Sequence, residues 1–362
     1  MSSCWRFSVG PFAILLAWAA VGVLAATAQP RAVTYTAIEL ARLEDQGANQ
    51  IVRALNDGDE VVGGGRRGGR RGPKAFFLTR GGLDDIADLV GSDYSTAFGI
   101  NTFGEIAGSS NTGTGVRGFR SLRTGDTQDL GTLPGDQASQ AFAINEAGDA
   151  AGYSSGASGV RAVVWPRRGA VQALPGLPGS NSSKALAIND RENAAGVSQV
   201  GSDLHAVLWT RGVPQDLGAL PGKSFSEALG LNNKSEVVGA SGDSAGTRRA
   251  VLWASGFPIR DLGVLTGGQS SRALGISDKS EVVGTSESLL GSRAFVWTAD
   301  AGMQDLNTLV TPGGGFVLTQ AVAINKKGTI LAIGRDDTGE GPDHAHDTHE
   351  FATRVFLLVP TP

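Results

Sequence analysis

Short apolar segments, separated by Gly, Pro, Asn and Ser, run along the whole chain and return as a larger unit. One block pairs small and hydrophobic residues ahead of an Asn or Ser, then places a hydrophobic pair a few residues on. It reads ALNDGDEVVG from Ala54, FGINTFGEIAG from Phe98, FAINEAGDAAG from Phe142 and LAINDRENAAG from Leu186. It continues as LGLNNKSEVVG from Leu229, LGISDKSEVVG from Leu274 and VAINKKGTILA from Val322. The anchor residue falls at Asn56, Asn101, Asn145, Asn189, Asn232, Ser277 and Asn325, at intervals of 45, 44, 44, 43, 45 and 48. Two other segments keep this period. An RAVLW-like run ends at Trp165, Trp209, Trp253 and Trp297, each 44 residues apart, and a QDLGTL-like run occupies 128–133, 215–220, 260–265 and 304–309. Weaker versions of the last lie at 38–43, 85–89 and 171–174.

The length of these segments and the turn residues around them predict strands, not helices. Asn-x-x-Gly between the first two segments is a hairpin signal, with the Asn side chain capping the turn. A unit of about 44 residues with four strands, recurring throughout the chain, predicts an all-β fold: a seven-bladed β-propeller of four-stranded repeats. The chain opens on a fourth-type segment near Tyr35 and ends on a third-type segment at 354–359, so the N-terminal strand is expected to complete the last blade and leave no open edge. Ala and Gly in the first strand are expected at the axis, where larger side chains would collide. The four tryptophans are expected as wedges between blades, not as a sugar-binding platform, because a structural core requires the same placement in each repeat. Leu78, Ser121 and Leu358 take the tryptophan position in blades one, two and seven, which makes blade two, with Arg120 and Ser121, the weakest.

Composition narrows the class of protein. The 53 glycines among 362 residues follow no triplet period, which excludes collagen and disfavours long helices. A formal net charge of −4 gives no field that points to nucleic acid or an acidic membrane. Arg6 followed by the uncharged run 11–25 and Ala26-Thr27-Ala28 has the form of a signal peptide over 1–28, leaving 29–362 as one propeller domain with no membrane span after cleavage. The one cysteine, Cys4, lies inside that segment, so the exported chain must be held by burial and hydrogen bonding without disulfides.

Four motifs invite chemistry. Gly113–Gly118 fits a dinucleotide fingerprint and Gly152–Gly156 a nucleophile elbow, but neither sits in the strand-to-helix context its chemistry needs. Arg66, Arg67, Arg70, Arg71 and Lys74 form a basic loop in blade one. An acidic loop in blade seven carries Asp336, Asp337, Glu340, Asp343, Asp347 and Glu350, and opposite charges are expected to face each other across the seam. His344, His346 and His349 in that loop are candidate metal ligands for Zn²⁺, Ni²⁺ or Cu²⁺, although no rigid element fixes them and a solvated loop is the simpler reading. No catalytic residue and no cofactor is predicted.

The run from Ala294 to Gly328, with Arg293-Ala294-Phe295 at its head and His205-Ala206-Val207 in an earlier unit, resembles the HAF-type repeat of bacterial extracellular proteins, named for a His-Ala-Phe triplet. That resemblance covers essentially all of the mature chain and implies an exported bacterial repeat protein, with no catalytic residue to carry over. The Asn-x-x-Gly turns are expected on one face of the disc, and the variable loops 109–117, 154–160 and 241–248, with the two charged loops, on the other. Variable loops on a rigid scaffold are where function concentrates. The expectation is therefore a monomeric, non-catalytic module, extracellular or at the cell surface, or else periplasmic, that binds a protein or glycan through the variable-loop face. The alternatives are an extracellular polysaccharide lyase or hydrolase, which would need paired carboxylates or a Tyr/His/Arg cluster at the axis, and a structural spacer.

Overall fold

The computed structural model describes Met1 and residues 33–43, 51–65, 72–122, 125–243, 246–311, 314–337 and 353–361. Apart from a 3-10 turn over Leu306–Thr308, the regular structure of these residues is all strand. The strands form five four-stranded sheets and one eight-stranded sheet, and the fold is an all-β propeller. A representative unit runs Ser180–Ile188, Ala194–Val200, Asp203–Thr210 and Val213–Asp216, each strand antiparallel to the one before. The eight-stranded sheet holds this unit and its predecessor, joined by the single parallel pair Val160–Ser182.

The N-terminal strand closes the ring as expected. Tyr35–Leu43 pairs antiparallel with Thr353–Pro360, outside Ile330–Asp336 and Phe316–Ile324. Arg354 fastens this seam: it donates to both carboxylate oxygens of Glu39, to Asp336 Oδ1 at 3.0 Å and to Gly315 O at 2.7 Å. Those bonds from Arg354 hold the Glu39 carboxyl below its ordinary pKa. A single side chain thus ties together three of the four strands that join the chain ends.

The apolar core is divided into clusters that each straddle two neighbouring units, so a unit buries its face only against the next. Trp209, fully buried, packs on Ala151, Ala162, Leu174 and Leu177 of the preceding unit, and its Nε1 donates to Pro175 O at 2.7 Å. Trp253 and Trp297 pack in the same manner on Leu208 and on Leu252. The tryptophans are wedges, as their spacing predicts. Burying each ring accounts for about 3 to 5 kcal/mol on truncation. At the second unit the pattern breaks: Arg120 is buried, with Nη2 on Trp165 O at 3.2 Å and no partner for Nε among the described residues.

Buried serines stitch units together through backbone. Gly118, Ala162, Ala206 and Ala250 donate their N–H to Ser139, Ser183, Ser226 and Ser271, which lie in the next inner strand. These serines recur in the sequence six residues before the anchor.

Candidate functional site

The inner strands surround an axial channel, and one irregularity decides what lines it. In each repeat the pairing of the first two strands skips the residue three places before the anchor: Arg53, Phe98, Phe142, Leu186, Leu229, Leu274 and Val322. Such a bulge adds a residue to one strand and re-aims its side chain. The glycine of the second strand accommodates it. A Cβ at Gly152, Gly196, Gly239 or Gly284 would collide with the backbone oxygen of Gln140, Lys184, Glu227 or Arg272 on the bulged strand. The small residue next in line, such as Gly99 or Gly230, faces the adjacent inner strand. Small residues therefore mark the contact between units, and the large bulged side chains line the lumen together with them. Ala and Gly of the first strand thus stand at the axis as expected, and the bulged side chains are an addition the sequence reading did not foresee.

At the mouth formed by the first turns, the anchors make a ring. Each Asn Oδ1 caps its own turn; Asn189, for example, accepts from Arg191 N and Asn193 N, both at 3.0 Å. Its Nδ2 then donates to the backbone oxygen of the next anchor: Asn56 to Asn101 at 2.9 Å, Asn101 to Asn145 at 3.0 Å, Asn145 to Asn189 at 3.2 Å, Asn189 to Asn232 at 2.9 Å, and Asn232 to Ser277 at 3.0 Å. Asn325 returns to Asn56 O at 3.1 Å. Ser277 has no amide to donate, and its hydroxyl reaches only its own turn. The following residues repeat the scheme, with Glu146 N on Asp190 Oδ1, Asp190 N on Asn233 Oδ1 and Lys326 N on Asp57 Oδ1, all at 2.9 Å. Four carboxylates, Asp57, Glu146, Asp190 and Asp278, surround Lys326 here. Its Nζ lies 3.5 Å from Asp57 and 3.7 Å from Asp190. Burial disfavours the ammonium, but the four carboxylates outweigh it and raise the Lys326 pKa. The cavity here is about 170 Å³.

Beyond a collar of Ile and Leu side chains from Leu55 to Ile324, the other half of the channel opens on the opposite face. This cavity, about 270 Å³, is lined by Arg53, Phe98, Phe142, Leu186, Leu274 and Val322 among others. Its walls differ from unit to unit. Arg53 lies over the Phe98 ring at 5.6 Å, Phe98 meets Phe142 edge to face at 5.2 Å, Phe142 lies 5.7 Å from Tyr153, and Lys184 Nζ stands over Tyr153 at 5.1 Å. Burial lowers the Arg53 pKa, opposed by Tyr94, and raises that of Tyr153, to which Tyr94 adds. Two of the three tyrosines therefore act on one cluster. On the far side Glu227, buried, accepts a forked pair from Arg272 at 2.7 and 2.8 Å and a bond from Arg248 at 3.2 Å.

Comparison by fold finds other propellers. A streptogramin B lyase superposes with a TM-score of 0.53 at 11% identity, over 91% of this chain and 98% of that one. The β-propeller domain of the Trilobed protease from Pyrococcus furiosus gives 0.54 at 8% identity, over 81% and 93%. That domain is described as having an open velcro topology, whereas here the terminal strands pair. TolB from Acinetobacter baumannii, at a TM-score of 0.46 and 13% identity, is matched over 67% of this chain, which spans 62% of that protein. No protein-family model and no curated protein matches the chain by sequence. At such identities the likeness is one of fold.

The residues singled out in the sequence are distributed differently from the expectation. Gly113 and Gly115 form a tight hairpin with positive φ, and Gly152 gives room to the bulged strand, so both motif matches have structural roles. Ser109, Ser154 and Ser241, at the head of the variable loops, are buried inside strands; Ser154 and Ser241 accept from Leu133 N and Leu220 N. The loops after Asn111 and Gly156 are short hairpins, and further varied side chains gather at the axial mouth. The signal peptide, Arg66, Arg67, Arg70, Arg71, and the candidate ligands His344, His346 and His349 lie outside the described residues. Of the two charged loops, Lys74 pairs with Asp88, and Asp336 with Arg42 and Arg354, each within reach of local structure. Sequence reading missed the Arg53–Phe98–Phe142–Tyr153–Lys184 cluster, although the large residue three before the anchor is visible in every repeat.

Proposed function

We propose that this chain is an exported, non-catalytic propeller that binds a glycan at the cell surface through the axial mouth on its variable-loop face. The observation that carries this reading is the pair Phe98 and Phe142, half-buried in the wall of a concave lumen, with the Tyr153 ring 5.7 Å from that of Phe142. Aromatic rings there offer apolar faces to the C–H surface of a sugar, and a narrow lumen admits an extended chain more readily than a folded domain. The acidic groups nearby are committed: Glu227 to Arg272 and Arg248, and Asp136 to Arg161 and Ser154. Neither is free to shuttle protons as an acid or base. The targeting segment at 1–28 and the likeness to HAF-type repeats support export. We read the ring as seven-bladed, on the grounds that the anchor occurs seven times and that the eight-stranded sheet divides at one parallel bridge.

A second reading, an extracellular polysaccharide lyase or hydrolase, draws on the same mouth, because Arg53, Tyr94, Tyr153 and Lys184 are the residue types it requires near the axis. A glycan array with the purified protein, followed by prolonged incubation with each bound polysaccharide, separates the two. Binding lost in Phe142→Ala with no chain shortening supports the module; shortened products abolished by Tyr153→Phe support the enzyme; absence of binding to any glycan overturns both.

A further inference from the structure

The cations of this mouth are not equally provided for. Arg272 and Arg248 share Glu227, but among the described residues neither Arg53 nor Lys184 has a carboxylate within ion-pairing distance. Both lie instead over aromatic rings, at 5.6 and 5.1 Å. Cation–π contact stabilises a partly desolvated cation but leaves its outward N–H donors free. The two stand at opposite ends of one arc, Arg53, Phe98, Phe142, Tyr153, Lys184, in which successive members are 5.1 to 5.7 Å apart. The other mouth carries the reverse arrangement, four carboxylates around one lysine, and would repel the same ligand.

We infer that the ligand is an acidic oligosaccharide, its carboxylate groups held by Arg53 and Lys184 and its sugar rings laid against Phe98, Phe142 and Tyr153. This inference rests on the glycan-binding reading above and names the glycan class. A charge-assisted, two-pronged contact with a carboxylate is available to Arg53, and a point contact to Lys184.

Calorimetric titration of the purified protein with an oligogalacturonate, a neutral cello-oligosaccharide of equal length and a short single-stranded DNA tests it. The oligogalacturonate is expected to bind at least tenfold more tightly than the other two, and to weaken as salt is raised. Arg53→Gln and Lys184→Gln should each weaken it at least tenfold, Arg53→Lys should recover part of the loss, and Lys326→Gln at the opposite mouth should leave it unchanged. Equal affinity for the acidic and neutral sugars overturns the acidic assignment and leaves glycan binding standing. No binding of either sugar overturns both, and DNA binding as tight as that of the uronate overturns the saccharide assignment. Thermal melts verify that each variant is folded; the comparison of the three probes and the salt series need no variant.

Discussion

The two ends of the axial channel are built from the same strands, only a few residues apart, yet they follow opposite rules. At the anchor end one residue type is repeated nearly without change, and its side chain is consumed by hydrogen bonds to its own turn and to its neighbour. Where Ser277 interrupts the pattern, one interunit bond is lost and the turn survives. At the other end the bulged residue is Arg, Phe, Leu or Val, and the residue two places earlier is Ile51, Thr96, Gln140, Lys184, Glu227, Arg272 or Gln320 in successive units. Repetition marks the positions that hold the ring together. Variation marks positions the repeat does not constrain, some paired, as Glu227 with Arg272, and some without a carboxylate partner among the described residues, as Lys184.

The sharpest test of this contrast compares Phe142→Ala, on an inner strand, with Asn145→Ala, in the turn that follows three residues on. The Asn change strips a turn N–H and the Asn189 oxygen of their partners and should cost about 3 kcal/mol. The Phe change should cost about 1 kcal/mol in denaturant unfolding, while removing ligand binding that Asn145→Ala, where folded, retains. Equal stability losses would erase the distinction between the two mouths. Next in size, Gly196→Ala drives a methyl into the Lys184 backbone oxygen and should cost about 2 kcal/mol by the same measurement; a neutral result would show that the bulge is not held by that close approach.

A gain is expected from Ser277→Asn, which supplies the missing donor toward Asn325 and should stabilise by about 1 kcal/mol. Smallest is the pH response of the anchor mouth. Because the Lys326 pKa is raised, its contribution is complete below 10.5 and declines as pH rises through the higher folded-state value. Stability measured across that range should fall less steeply in Lys326→Gln than in the wild type.

Much of this was legible in the chain. The period of the anchors and tryptophans specified four-stranded units, the wedge role of Trp209 and its counterparts, and the closing strand at Tyr35–Leu43. The capping role of Asn189 was legible because it is local, acting within four residues. The interunit bond from the same side chain was not, since Asn232 O lies 43 residues away. The cluster at the far mouth was hidden for a related reason. Alternation along a strand assumes unbroken pairing, and the bulge at Phe98 and Phe142 shifts them out of that phase and into the lumen.

The sequence by itself determined the repeat, the strand-and-turn grammar within it and the order in which units meet, because these depend on residue type and spacing of near neighbours. Only the tertiary structure decided which side chains share the axis: that Arg53 stands over Phe98, that Lys184 stands over Tyr153, and that four carboxylates enclose Lys326. Closure of the ring brings together residues separated by one or more whole periods, and no local preference encodes how their charges and rings combine there.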